Sequence, residues 1–84
     1  MNIPKKIKIG AIWYDVKRSH LPDDWGCVTR GKQLITISDE ITGEYRYVNL
    51  LHEIIHAINH EIDEKDVVTI SNGLYQVLKE NKIF

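Results

Sequence analysis

The sequence predicts an α+β fold, a small antiparallel β-sheet followed by a two-helix hairpin in the order ββββαα. Three observations carry this. Apolar and polar residues alternate up to Ser38, as they do along half-buried strands. After Ser38 the apolar residues recur at three- and four-residue steps, the period of a helix face. The chain has 84 residues, which is enough for one core and no more. Residues 1–84 therefore read as a single domain, with β-hairpins over 1–38 and a helical hairpin over 39–84.

The strands can be taken in order. "KIKIGAIWYDVKR" alternates around Gly10, as two strands joined by a tight turn do. "SHLPDDWG" supplies Pro22, two aspartates and Gly26, which is turn chemistry. "CVTRGKQLITIS" repeats the first pattern, with a turn at Arg30, Gly31 and Lys32 between two strands. The helices follow. Leu51, Ile54, Ile55, Ile58 and Ile62 mark an inward face on the first; Val67, Ile70, Leu74, Val77 and Leu78 mark one on the second.

Composition narrows the function classes. Cys27 is the only cysteine, so no intrachain disulfide and no cysteine-based zinc site can form. That fits a reducing cytoplasm. No apolar run approaches membrane-spanning length and "MNIPKKIKIG" lacks an apolar signal core, so a soluble, cytoplasmic protein is expected. The net charge of −1 hides an asymmetry: residues 1–38 carry seven Lys or Arg against three Asp, and residues 39–84 four against nine acids. A basic half can signal nucleic acid. Here Lys5, Lys6, Lys8 and Lys17 fall at strand-like alternation, as on the solvent face of a sheet, and basic residues interleaved with aromatics are lacking, so nucleic-acid binding is not expected.

The stretch "NLLHEIIHAINHEIDE", residues 49–64, carries the chemistry. On a helix, residues i and i+4 project from nearly the same side, so His52 and His56 can offer two imidazole nitrogens to one ion. Glu53 is rotated about 100° from His52, which places it beside the ion as a general base and not as a ligand. These are the mechanics of H-E-x-x-H: two zinc ligands, and a carboxylate that takes a proton from metal-activated water. An exposed helix face with solvated His and Glu would look similar, but here the histidines border the apolar run "LLHEIIHAI".

The third ligand must come from elsewhere. On an unbroken helix His60 stands about 12 Å from His52, out of reach of a shared ion. The second helix is expected to start with Asp63 as N-cap and Glu64, Lys65 and Asp66 in its first turn. Glu64 lies three residues before Val67, continues the inward stripe and is assigned as the ligand. Asp66 is the runner-up, with His60 and Asp63 behind it. Tyr75 adjoins the same stripe; packing is its expected role, and donation to an oxyanion the alternative.

"NLLHEIIHAI" and "VVTISNGLYQVLKEN", together with "WGCVTRGKQLITIS" ahead of them, resemble the small zinc metallopeptidase-like proteins of phages and prophages, akin to the gluzincin-type ImmA/IrrE group. The resemblance implies a minimal zincin-like fold, His52 and His56 as Zn2+ ligands, Glu53 as general base and an acidic ligand from the second helix. It also implies that "QLITIS" aligns a peptide or protein substrate by strand addition, an ordinary buried strand being the equal alternative for that stretch, and that an amide bond in a cytoplasmic protein of the bacterial host is hydrolysed. The stretch between His56 and the second helix is very short for that family. The competing reading is a non-catalytic, zinc-stabilised binding module acting on a phage or host regulator. Oligomeric state and substrate identity stay open.

Overall fold

A computed structural model describes residues 2–83. The elements are β1 (Lys6–Ile9), β2 (Ile12–Ser19), β3 (Gly26–Thr29), a 3-10 turn (Arg30–Lys32), β4 (Leu34–Ser38), α1 (Tyr45–Ile58) and α2 (Glu64–Glu80). The fold is α+β, four strands followed by two helices. No helix among the described residues is long and apolar enough to cross a membrane.

Both expected hairpins form. β1 and β2 pair antiparallel across Gly10, whose φ of +60° a glycine adopts without the cost of a Cβ. β3 and β4 pair antiparallel across the 3-10 turn. The sheet as a whole is nevertheless mixed, with order β1-β2-β4-β3 and a parallel β2–β4 pair in which Val16 stands opposite Ile35. Residues 20–25 carry the chain across the end of β4, so the second hairpin docks by β4 and β3 becomes the outer edge. Alternation within each hairpin says nothing about which strand of one meets which strand of the other. One consequence is a correction: "QLITIS" forms an interior strand, hydrogen-bonded on both sides, and cannot receive a substrate strand.

α1 lies against the sheet. Tyr14 and Val16 of β2, Ile35 and Ile37 of β4, and Ile41 form one buried cluster with Leu50 and Ala57 of α1. Ile7, Ile9, Val28 and Ile54 pack around it. Because Gly26 pairs with Ile37 and Val28 with Ile35, both β3 residues face the helix as well. α2 packs on α1, so α1 has neighbours on two sides and residues 46–57 are all buried or half-buried.

The inward face of α2 differs from the expected stripe. Val67 and Ser71 are buried and Tyr75 and Leu78 half-buried, while Ile70, Leu74 and Val77 stay exposed. The helix turns its Val67–Ser71–Tyr75 row inward, and the small Ser71 side chain fits a fully buried position there. Its hydroxyl donates to the Val68 carbonyl (3.2 Å), which spares the buried oxygen a lost hydrogen bond. On α1, Ile58 is likewise exposed, being the last helical residue.

Candidate metal centre

The centre is built from the last turns of α1 and the first turn of α2. Four-residue spacing brings the His52 and His56 rings together, with 3.1 Å between their Nε2 atoms. α1 ends at Ile58 and Asn59 turns extended, so the chain reverses within residues 59–63 and α2 returns alongside. Asp63 stands at the N-cap and Glu64 is the first helical residue. The Glu64 carboxylate then reaches both histidines, Oε1 at 2.7 Å from His52 Nε2 and Oε2 at 2.7 Å from His56 Nε2.

His52, His56 and Glu64 thus form a group that could hold a metal ion, each offering one ligand atom and all of these within 4.8 Å of one another. Tetrahedral zinc with ligands at about 2.0–2.1 Å would separate them by roughly 3.3–3.4 Å. The observed spacings of 2.7 to 3.1 Å are a few tenths of an ångström tighter, so two imidazoles and a carboxylate can take such an ion by opening slightly. Of the other candidates, Asp66 is exposed on the first turn of α2 and His60 is exposed in the connection. Neither these nor Asp63 joins the group.

Glu53 is the buried acid of the centre, 5% exposed. It lines a cavity of about 350 Å³ with His52 and Glu64, walled by Asp24, Trp25 and Tyr45. Burial pushes its carboxyl up from the ordinary 4.5 to about 7, and the neighbouring charges of Glu64 and Asp24 add to the effect. Burial lowers the pKa of His52, helped by the His56 charge and opposed by Glu64. It therefore favours the neutral imidazole, the form that ligates metals. Tyr75 lies outside this cavity. Its ring stacks on that of Tyr47, centroids 6.4 Å apart and nearly parallel, and it lines a separate depression with Tyr45 and Val48.

Sequence reasoning missed Asp24, Trp25, Gly26 and Tyr45. The first three sit in a segment read as turn chemistry, and no spacing ties them to Glu53. The exposed Trp25 beside Gly26 is the one local hint, since a large apolar side chain in a turn needs some partner. No family model, curated protein or solved structure matches the chain. Fold and site together define its class: an α+β domain with a candidate His-His-Glu metal centre between two helices.

Proposed function

We propose that the protein is a small zinc-dependent metallopeptidase-like hydrolase, gluzincin in type and akin to the ImmA/IrrE group. On this reading it is of phage or prophage origin and cleaves an amide bond in a cytoplasmic protein of the bacterial host. The observation that supports this most is the convergence of His52, His56 and Glu64 from two helices, with Glu53 lining the same cavity as His52 and Glu64. The two Nε2 atoms and a Glu64 oxygen would hold zinc, which supplies a Lewis acid for the scissile carbonyl and lowers the pKa of water to about 7.

The chain's own residues do the rest. Glu53 takes the proton of the attacking water and passes it to the departing amine. Its burial keeps competing water away, and packing against Gly26 limits where the carboxylate can point. β3, the edge strand beside α1, is the place for an extended substrate backbone to pair. The binding-module reading calls for a closed structural site, which takes four protein ligands and no base. Among the described residues only three come together.

The test is metal content. Purified protein is expected to hold about one zinc per chain; His52→Ala and His56→Ala are expected to lose it. Glu53→Gln is expected to keep zinc and lose peptide hydrolysis. A wild type that stays metal-free after reconstitution with zinc overturns the reading.

A further inference from the structure

A second cavity, of about 430 Å³, opens beside the metal centre between residues 21–25 and 38–45. Trp25, Tyr45 and Asp24 line both cavities, so the two adjoin across these side chains. Three carboxylates, Asp23, Asp24 and Glu40, line it, and among the described residues no lysine or arginine does. Two basic residues stand at its border, Arg18 on backbone carbonyls of the wall and His20 beside one of the three carboxylates. Arg18 donates to the Ser38 and Ile41 carbonyls (3.1 and 2.7 Å), and His20 stands 3.5 Å from Glu40. Trp25 and Tyr45 are 60% and 65% exposed, unusually open for rings of that size at a cavity wall.

The walls are fixed in advance. The Ser38 N–H donates to the Trp25 carbonyl (2.8 Å) and the Asp39 N–H to the Ser19 carbonyl (2.9 Å). The first bond ties the end of the loop before β3 to the last residue of β4, and the second, with the two Arg18 bonds, ties the end of β2 to Ser38 and the segment after it, so the backbone around the cavity is held before a ligand arrives.

Open aromatic faces beside carboxylates suit one side chain above others. A guanidinium is planar, stacks on aromatic rings and pairs with carboxylates through a rigid fork of donors. We infer that this cavity takes the arginine side chain of a peptide substrate whose backbone crosses the adjoining metal centre. The assignment rests on the peptidase reading for the word substrate; the cavity and its chemistry stand apart from any metal.

The chain has two tryptophans, so Trp13→Phe leaves Trp25 as the sole reporter inside the cavity. Trp13 is itself half exposed on the far face of β2, where phenylalanine is tolerable. The probes are capped tripeptides Ala-X-Ala, with X as arginine, lysine, norleucine or glutamate, titrated into zinc-loaded and metal-free protein. The arginine peptide is expected to shift Trp25 emission saturably in both forms. Asp23→Asn and Glu40→Gln are each expected to weaken it about fivefold, the upper range for a partly exposed charge pair, and added salt to weaken it further. No saturable response, equal binding of the norleucine or glutamate peptide, or affinity indifferent to both substitutions overturns the assignment. Lysine bound as tightly as arginine overturns the choice of a guanidinium. Arginine-peptide binding without hydrolysis of any peptide upholds the cavity and counts against the peptidase reading. Hydrolysis indifferent to arginine defeats the present inference alone.

Discussion

Gly26 and Glu53 meet where β3 passes under α1. A Cβ on Gly26 would stand 2.9 Å from Glu53 Oε2, 3.0 Å from its Cγ and 3.1 Å from the Thr36 carbonyl oxygen. The strand register explains the closeness, because Gly26 lies opposite Ile37 on the face that packs against the helix. Any larger residue would point its side chain into the carboxyl. The backbone oxygen on one side cannot yield easily, so the Glu53 side chain must move.

Gly26→Ala is therefore expected to act on Glu53 more than on the fold. Zinc content should match the wild type, because no ligand is touched. Hydrolysis should fall by roughly 100-fold, the cost of a misplacement of about 1 Å at a reacting group. Overpacking should take about 1–3 kcal/mol from stability. Metal analysis, rate and thermal unfolding measured on one preparation separate the three effects; an unaltered rate would mean that Glu53 is not the base.

Zinc affinity distinguishes the acids of α2. Glu64→Gln should weaken binding by more than about 100-fold, since losing even the outer partners of ligands costs 10–100-fold. Asp66→Asn should leave affinity within about twofold, a surface charge change at most. A competition titration with a chromogenic chelator reads both. Equal losses would show that the helices carry Asp66 to the ion instead.

Metal-free protein should reveal the buried carboxyl through pH. The folded-state pKa of Glu53 is raised, from 4.5 to about 7, so ionising it opposes folding. The stability that Glu53 contributes is complete below pH 4.5 and declines as pH rises through 7, by at most about 3 kcal/mol for a shift of this size. His52 works in the other direction. Its lowered pKa takes stability away as pH falls below its ordinary 6.5. Comparing Glu53→Gln with wild type isolates the first effect, because both chains keep His52. The variant is expected to match the wild type near pH 4 and to exceed it in Tm at pH 8. Parallel curves across that range would contradict the burial assigned to Glu53.

What could be read from the sequence was what depends on local periodicity. His52 and His56 share a helix side because they are four residues apart, and strand hairpins announce themselves by alternation around Gly10 and Gly31. Glu64 was reachable because a short connection forces the two helices to run back to back. The face expected for α2 differs at Ile70, Leu74 and Val77, all exposed. There a buried serine took the place that hydrophobicity would have given to leucine. The β2–β4 pairing and the Gly26–Glu53 contact join residues 19 or more apart in sequence. No periodicity records either, since each depends on how finished hairpins dock.

Arg30 offers the last test, through the end of α1. The carbonyl of His56 would accept from the N–H of residue 60 in a continuing helix, but α1 stops at Ile58. The Arg30 guanidinium, from the turn between β3 and β4, donates to that carbonyl instead. It satisfies an orphan acceptor and brings a positive charge to the negative end of the helix. It also ties the backbone of His56 to the turn between β3 and β4. Arg30→Ala is expected to cost about 1 kcal/mol of stability and, by loosening His56, about tenfold in zinc affinity. Arg30→Lys keeps the charge and one donor, so it should recover most of the stability but only part of the affinity. Unfolding of the metal-free protein measures the first quantity and zinc competition the second. If both fall in the same proportion for alanine and lysine, Arg30 serves the fold alone and His56 holds its position without it.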